Sequence, residues 1–209
     1  MKFSGKHIHI IETAENLFAQ KGFEGTTVRD IAEKAGVNIA MISYYFGSKE
    51  KLMEALFEQR TGHIRMRVES LLKDDSLTPF QKVNMLIDEH IERVMEHQKF
   101  YKVMICEQVI NKNKVVVNLL GEIKKRNAGI INELIRDGQK KGIFKKKVDV
   151  ILMVSTMVGT ATQMMINKSY YREFNGLQKL DDSKFEELFK ARVSDHIKNL
   201  FKAILINEA

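Results

Sequence analysis

The sequence lacks most of the features on which secreted and membrane proteins depend. Its 209 residues include a single cysteine, Cys106, so no disulfide can form within the chain, and a reducing compartment is favoured. No stretch reaches the roughly 18 apolar residues of a membrane helix, and residues 1–9 are polar and basic rather than apolar. These absences predict a cytoplasmic protein.

Proline is almost absent too, occurring only as Pro79, and no long run alternates apolar and polar residues as a half-buried strand would. Apolar residues recur instead at the helical period. With 44% hydrophobic and 29% charged residues, the chain can form a packed core and stay soluble. The predicted fold is all-α, with a compact N-terminal module at residues 1–47 and a larger helical body at residues 48–209.

The charge balance is basic but not concentrated at one end. The formal net charge is +7, which fits a polyanionic partner such as nucleic acid or an anionic membrane surface. Residues 1–73 hold 11 Lys/Arg against 9 Asp/Glu, so most of the excess lies further along the chain. Composition alone therefore does not identify the partner, and local patterns must do so.

Capping residues predict where the helices of the N-terminal module begin and end. Residues suited to cap a helix start are Thr27, Asn38 and Ser48, and glycines suited to end a helix are Gly22, Gly36 and Gly47. Asp30 would complete a capping box with Thr27. The second and third helices are thus short and only a few residues apart, which is the spacing of a DNA-binding helix-turn-helix.

Three segments in fixed order carry a closer similarity. They are Gly22-Phe23-Glu24-Gly25-Thr26-Thr27-Val28-Arg29-Asp30-Ile31-Ala32, then Ala35-Gly36-Val37, then Tyr44-Tyr45-Phe46-Gly47-Ser48-Lys49-Glu50-Lys51-Leu52. Over roughly residues 6–58 the chain resembles the TetR family of transcriptional regulators. The resemblance implies a DNA-binding module on a helical body that binds ligands and dimerises, and it implies no enzymatic activity.

Several side chains suit contacts to the DNA backbone. Thr27 and Lys49 lie at capped helix starts, whose main-chain amides bind phosphate, and the hydroxyl groups of Tyr44 and Tyr45 can do so as well. For Tyr45 core packing is an equal alternative. Arg29 could contact DNA, as the matching arginine of the family often does. The alternative is a charge that is solvated or paired with a neighbouring carboxylate.

The third helix can offer a short set of side chains to base edges: Asn38, Ile39, Ala40, Met41 and Ser43. The family often has a lysine and a glycine or threonine near positions 39–41, and this chain departs from that pattern. Ile39, Ala40 and Met41 cannot form hydrogen bonds to bases, so they would read thymine methyl groups and local shape. An operator half-site containing A and T is the expectation.

The body is predicted to consist of helices at about 79–96, 99–111, 114–140, 149–170 and 182–206. Capping boxes at Thr78–Gln81 and Ser183–Glu186 begin two of them, and Lys145–Lys147 lie in a solvated loop. The last two helices are unusually apolar, and the resemblance implies that they form a dimer interface. A two-fold dimer then predicts an operator that is an inverted repeat.

Methionine and aromatic residues concentrate in the middle of the body, where they could line an apolar pocket for a small ligand. The candidates are Met85, Met95, Phe100, Tyr101, Met104, Met157 and Met164. Packing in an ordinary core is the alternative for each of them.

The sequence gives little support for a catalytic site or a metal site. His90 and His97 are seven residues apart without a third ligand in register, and Cys106 is interpreted as a small buried residue, with a redox sensor as the alternative. No Ser/His/Asp set and no phosphate-binding glycine loop occurs, so neither an enzyme nor a cofactor is predicted. The leading hypothesis is a dimeric repressor released from its operator by a small apolar ligand. The alternative is a DNA-binding regulator without such a ligand, controlled by a protein partner or by its abundance.

Overall fold

A computed structural model of the protein describes residues 5–110 and 113–206, which form eleven α-helices and no β-strand. The helices are α1 (Gly5–Lys21), α2 (Val28–Lys34), α3 (Ile39–Phe46), α4 (Lys49–Thr61), α5 (His63–Lys73), α6 (Pro79–Glu96), α7 (Gln98–Ile110), α8 (Lys114–Lys140), α9 (Val150–Ile166), α10 (Lys168–Phe174) and α11 (Asp182–Leu205). The all-α fold predicted from the helical period is confirmed.

The described residues gather into two compact units. The first lies within residues 1–66 and 99–126, and the second lies within residues 67–98 and 127–209. In the first unit α1 packs against α2 and α4, and α3 packs against α2 and α4. Its core holds fully buried side chains from all of these helices, such as Ile11, Ile31 and Leu56. Burying each such side chain contributes roughly 1.5–3 kcal/mol, so this packing holds the short α2 and α3 in place.

A buried ion pair also joins α1 to α4 within the first unit. The Nη2 atom of Arg60 lies 2.5 Å and its Nε atom 3.1 Å from Oε2 of Glu15, and the Glu15 side chain is almost fully enclosed. A buried carboxylate is tolerated only when it is paired and hydrogen-bonded. The pair therefore fixes the position of α4 along α1.

The second unit is built around α6, α9 and α11, which pack on one another. Phe189, Ile197 and Ile87 are among the buried residues at this core. Asp88 of α6 reaches α11 twice, because it accepts a hydrogen bond from the Ser194 hydroxyl at 2.5 Å and pairs with Lys198 at 2.7 Å.

Most predicted helix starts are confirmed by their hydrogen bonds. Thr78 and Gln81 form the expected capping box, with Pro79 at the first position of α6. Ser48 caps α4 by accepting from the Lys51 amide at 3.1 Å. Gly142, whose φ of 72° lies in the left-handed region, follows the end of α8, and Lys145–Lys147 lie outside any helix as predicted.

The predicted capping box at Ser183 was wrong. The N-cap of α11 is Asp181, whose side chain accepts from the Lys184 amide at 2.9 Å, and Ser183 lies inside the helix. Glu186 instead pairs with Lys168. A carboxylate interacts with the positive helix end more strongly than a hydroxyl does, which favours Asp181 over Ser183 as the cap.

One predicted helix is broken, and others differ at their ends. The helix expected at 149–170 divides at Asn167 into α9 and α10, which meet at a bend of 73°. The helix that starts at Ser48 ends at Thr61, and α5 begins after Gly62. The helix expected at 99–111 spans Gln98–Ile110, and residue 111 lies outside the described residues. Asparagine and glycine are poor helix formers, so helices readily end at them.

Among residues 5–110 and 113–206, no single helix combines the length and the apolar composition needed to cross a bilayer, although α9 and α10 taken together across their bend would satisfy both criteria.

Candidate nucleic-acid interface

The start of α2 is fixed by a reciprocal capping box. Oγ1 of Thr27 accepts from the Asp30 amide at 3.0 Å, and Oδ2 of Asp30 accepts from the Thr27 amide at 2.8 Å. These hydrogen bonds, together with the nearby charge of Lys21, lower the pKa of Asp30 below its ordinary value. The Thr27 hydroxyl also donates to Asp30 at 2.7 Å, so its single hydrogen is already engaged within the protein. What the start of α2 can offer an anion is its main-chain amides.

Helix α3 presents most of the predicted base-contacting residues on its exposed side. Asn38 caps the helix by accepting from the Ala40 amide at 2.9 Å. The exposed residues are Asn38, Ile39, Ala40, Ser43 and Tyr44, while Met41 is half-buried. Ile42 is the buried anchor that attaches α3 to the core, with 1% of its surface exposed. One face of α3 is therefore free to enter a groove.

The aromatic run at the end of α3 divides between two environments. Tyr44 is 85% exposed, so its hydroxyl points to no protein core. Tyr45 is half-buried, with its ring centroid 4.3 Å from that of His7, and Phe46 is half-buried at 5.6 Å from the same ring. The structure thus brings the N-terminal part of α1 against the end of α3, a contact that the sequence analysis missed.

Lys49 begins α4, but its ammonium group is directed into the protein. Nζ donates to the carbonyl oxygens of Phe23 at 2.9 Å and Thr26 at 3.0 Å, and it lies 4.2 Å from the centroid of the Phe23 ring. Phe23 and Thr26 precede Lys49 by 26 and 23 positions in the chain, so the helical period of the sequence could not predict these hydrogen bonds.

Arg29 lies exposed in the first turn of α2. Its neighbour Asp30 is engaged by Thr27 and by Lys21, whose Nζ lies 3.7 Å from Oδ1 of Asp30. Arg29 is thus exposed on a helix that packs against α3. Even so, the module as a whole is electrically balanced, since residues 1–47 contain five Lys/Arg and five Asp/Glu.

The predicted ligand residues are distributed over both compact units. Phe100, Tyr101 and Met104 belong to the first unit, where Phe100 packs edge-on against Phe57 at 4.9 Å and against Tyr101 at 5.3 Å. The others, Met85, Met95, Met157 and Met164, belong to the second unit. Phe100, Tyr101 and Met95 are buried, and the remaining four are half-buried.

A surface groove of about 250 Å³ lies in the first unit between α4 and α8. Its lining residues are Glu54, Glu58, Leu119, Glu122, Ile123 and Arg126. Arg126 pairs with Glu58 across it at 3.1 Å. None of the predicted ligand residues lines this groove, and its carboxylates do not suit an apolar molecule.

Of the two histidines for which no metal site was predicted, His90 lies within α6 and His97 lies at its C-terminal end. Burial, and secondarily the charge of Arg93, lowers the pKa of His90 to about 4, so the imidazole is neutral at pH 7. His97 is the C-cap of the same helix. Among residues 5–110 and 113–206, no group of three His, Cys, Asp or Glu is arranged to hold a metal ion. Cys106 is a half-buried free thiol on α7.

Comparison with known proteins assigns both parts of the chain. The family model described as bacterial regulatory proteins, tetR family, matches residues 10–56, and the model described as YsiA-like protein, C-terminal region, matches residues 57–200. The second match alone covers more than half of the 209 residues.

Individual proteins agree with this assignment. The chain is 32% identical over 142 residues to the probable HTH-type transcriptional regulator YttP of Bacillus subtilis, covering 68% of each chain. It is 27% identical over 155 residues to the fatty acid metabolism regulator protein of the same organism, covering 74% of this chain and 79% of that one.

A solved structure shows the same fold. The transcriptional regulator FadR from Bacillus subtilis, determined in complex with stearoyl-CoA, superimposes with a TM-score of 0.69 at 24% identity, over 92% of this chain and 96% of that one. The matched families and relatives are transcriptional regulators rather than enzymes. The chain therefore belongs to the TetR family, and it is a DNA-binding transcriptional regulator.

Proposed function

We propose that the protein is a cytoplasmic, homodimeric repressor that binds an inverted-repeat operator and is released from it by a small apolar ligand. Residues 1–47 serve as the DNA-binding domain and residues 48–209 as the ligand-binding and dimerisation domain. The observation that carries the proposal is the exposed face of α3, which is capped at Asn38, anchored by Ile42 and open to solvent at Ala40 and Tyr44.

Contacts to DNA divide into two kinds. Groups that would hold the phosphate backbone lie at the ends of α2, α3 and α4: the main-chain amides that follow Thr27, the hydroxyl groups of Tyr44 and Tyr45, and the main chain at Lys49. Asn38, Ile39, Ala40, Met41 and Ser43 would face base edges, with Arg29 as the polar contact from α2. Because Ile39 and Ala40 have no hydrogen-bonding side-chain atoms, thymine methyl groups are the features they recognise.

The ligand proposal is supported by the relatives. One relative is a fatty acid metabolism regulator protein, and a structural neighbour, the transcriptional regulator FadR, was solved in complex with stearoyl-CoA. Those facts belong to those proteins, but a long acyl chain fits the methionine and aromatic content of this chain. We therefore keep the methionine and aromatic residues as candidate ligand contacts, each within its own unit, and choose a long-chain acyl-CoA as the first probe. The candidates are Met85, Met95, Phe100, Tyr101, Met104, Met157 and Met164.

The dimer proposal is supported by apolar residues that stay exposed on α9 and α11. Ile151 and Leu152 are 60% and 66% exposed, and Leu200 is 37% exposed. Exposed apolar residues grouped on particular helices mark association surfaces. A symmetric dimer would present two α3 helices to an inverted repeat.

The test begins with selection of bound sequences from a random DNA pool, which should yield an inverted repeat. Stearoyl-CoA is then titrated into the protein with and without the selected operator. A useful inducer lowers operator affinity by about 5- to 150-fold, and by thermodynamic reciprocity the operator weakens the ligand by the same factor. Met157→Trp should abolish the ligand response while leaving operator binding intact.

Met66→Trp is the matched control for that substitution. Met66 is 68% exposed on α5, so the same added volume there should change neither binding reaction. If neither stearoyl-CoA nor a broader set of apolar ligands binds while operator binding persists, the ligand part of the proposal is wrong. The regulator would then respond to a protein partner or to its own abundance.

A further inference from the structure

The turn between α1 and α2, residues 22–27, is held by two side chains of opposite charge. The Phe23 amide donates to Oε1 of Glu107 on α7 at 3.0 Å. The Phe23 carbonyl accepts from Nζ of Lys49 on α4 at 2.9 Å, and the Thr26 carbonyl accepts from the same Nζ at 3.0 Å. The N–H and the C=O of one residue are thus each bound by a charged group from a different helix.

This arrangement is enclosed by protein. Glu107 has 4% of its surface exposed, and Phe23 and Thr26 have none. A buried main-chain amide without a partner is unfavourable, and so is a buried carboxylate without a donor. Glu107 and the Phe23 amide satisfy each other with a charge-assisted hydrogen bond, which is stronger and shorter than a neutral one. Water cannot replace either partner without opening this part of the core.

The turn has almost no room to change shape by itself. A Cβ atom at Gly25 would lie 2.3 Å from the Lys21 carbonyl oxygen, and Gly22 has a φ of 74°. The Thr26 hydroxyl closes the turn by donating to the Gly22 carbonyl at 2.8 Å. Because the next residue, Thr27, is the N-cap of α2, the position of the turn determines where α2 starts.

Helix α7 is attached to the module at further points within the same unit. Nζ of Lys99 donates to Oδ1 of Asn16 on α1 at 2.6 Å, and Asn113, just after α7, donates to Glu24 at 3.1 Å. Both contacts are exposed, so water competes with them. The buried contact at Glu107 is the one that defines the distance between α7 and the turn.

We propose that Glu107 and Lys49 are positioning residues that clamp this turn and thereby set α2 and α3 for DNA binding. Neither acts by touching DNA through the atoms described. For Lys49 this role differs from the phosphate contact expected from the sequence, because two of the three ammonium hydrogens are committed to the turn. The clamp rests on the DNA-binding function but not on the ligand or the dimer.

The first test compares Glu107→Leu, which removes the acceptor at similar size, with Glu107→Gln, which keeps a carbonyl oxygen in place. Glu107→Leu should weaken binding to the selected operator by about tenfold, the equivalent of one charge-assisted hydrogen bond, and Glu107→Gln should stay within about threefold of wild type. Glu133→Leu, at an exposed glutamate of α8, is the matched control and should bind normally.

Two readouts separate positioning from a general loss of structure. Hydrogen exchange at the Phe23 amide should speed up in Glu107→Leu but not in Glu107→Gln or the control, at unchanged helical content. The dependence of operator affinity on salt should keep its wild-type slope, because no phosphate contact is lost. The clamp is wrong if Glu107→Gln and Glu107→Leu weaken operator binding equally. It is also wrong if the Phe23 amide of Glu107→Leu exchanges at the wild-type rate.

The second test concerns Lys49. Lys49→Met should weaken operator binding at an unchanged salt slope, whereas loss of a phosphate contact would reduce the slope by about one unit. In the double variant with Glu107→Leu, the two losses should not add, since both substitutions release the same turn. A slope reduced by one unit, or fully additive losses, would contradict the proposal. Wild-type binding to the operator reports separately on the DNA-binding function.

Discussion

Side chains on the exposed face of α3 decide what the protein can recognise. Ala40 is exposed and carries only a methyl group, while Tyr44 places its hydroxyl beyond a ring that is 85% exposed. A hydroxyl that meets phosphate contributes affinity without sequence information, and a residue facing base edges contributes discrimination. These two residues therefore separate positioning from recognition.

Tyr44→Phe removes only a hydroxyl and should weaken binding by about fivefold on every sequence alike, as expected for about 1 kcal/mol from one hydrogen bond. Ala40→Arg should instead change the preferred bases, because arginine can form paired hydrogen bonds to guanine. Binding of both variants to the operator and to a set of its single-base variants checks this. A Tyr44→Phe effect that depends on sequence would place the hydroxyl at a base.

His90 predicts how stability depends on pH. Its pKa is about 4 in the folded protein and near 6.5 when unfolded, so between these values the unfolded state binds more protons and stability falls as the pH decreases. The loss between pH 6.5 and 5 should be roughly 2 kcal/mol from this residue. Urea unfolding at several pH values should show it, and His90→Gln should reduce the loss, provided that the variant is folded at pH 7. An equal loss in the variant would contradict this assignment.

Several helices begin where the local sequence provides a cap, and these starts are the part of the fold that the sequence predicted well. Each capping box joins two residues that are three positions apart, Thr27 with Asp30 and Thr78 with Gln81. The pattern can therefore be recognised in the sequence without the structure. The breaks at Gly62 and Asn167 were not predicted, because the apolar period continues on both sides of each. Glu107 was missed for a different reason: its partner Phe23 is 84 residues away.

The start of α11 offers a direct comparison of two possible caps. Asp181→Ala should destabilise the protein by about 1 kcal/mol, because the carboxylate that accepts from the Lys184 amide is lost. Ser183→Ala, inside the helix, should have little effect. Midpoints of chemical unfolding measure both. If Ser183→Ala were the more damaging change, the capping box expected from the sequence would be correct after all.

At the level of the whole molecule, the two compact units have different surfaces. The first carries the exposed face of α3, and the second carries exposed apolar residues on α9, α10 and α11, including Ile151, Phe174 and Leu200. Phe201 is 2% exposed, so it belongs to the core of the second unit rather than to its surface. The apolar residues of the last helix are therefore divided between the core and the exposed surface of the second unit.

Leu200→Glu should convert the proposed dimer into monomers, because a charge would replace an apolar side chain at the proposed interface. The monomer should lose operator binding, since one half-site provides too little affinity. Sedimentation of the purified protein measures the oligomeric state. Met66→Glu, at an exposed apolar residue of α5, is the control and should sediment with the same oligomeric mass as the wild type. A Leu200→Glu variant that sediments as wild type would place the interface elsewhere.

The electrical balance of the N-terminal module affects how the regulator is distributed along a chromosome. Residues 1–47 contain as many acidic as basic side chains, so the module has no net charge to attract it to DNA of arbitrary sequence. We therefore expect binding to bulk DNA to be weak and the fraction of molecules held at the vast excess of competing sites to be small. A cell can then keep its operators occupied with few copies of the protein.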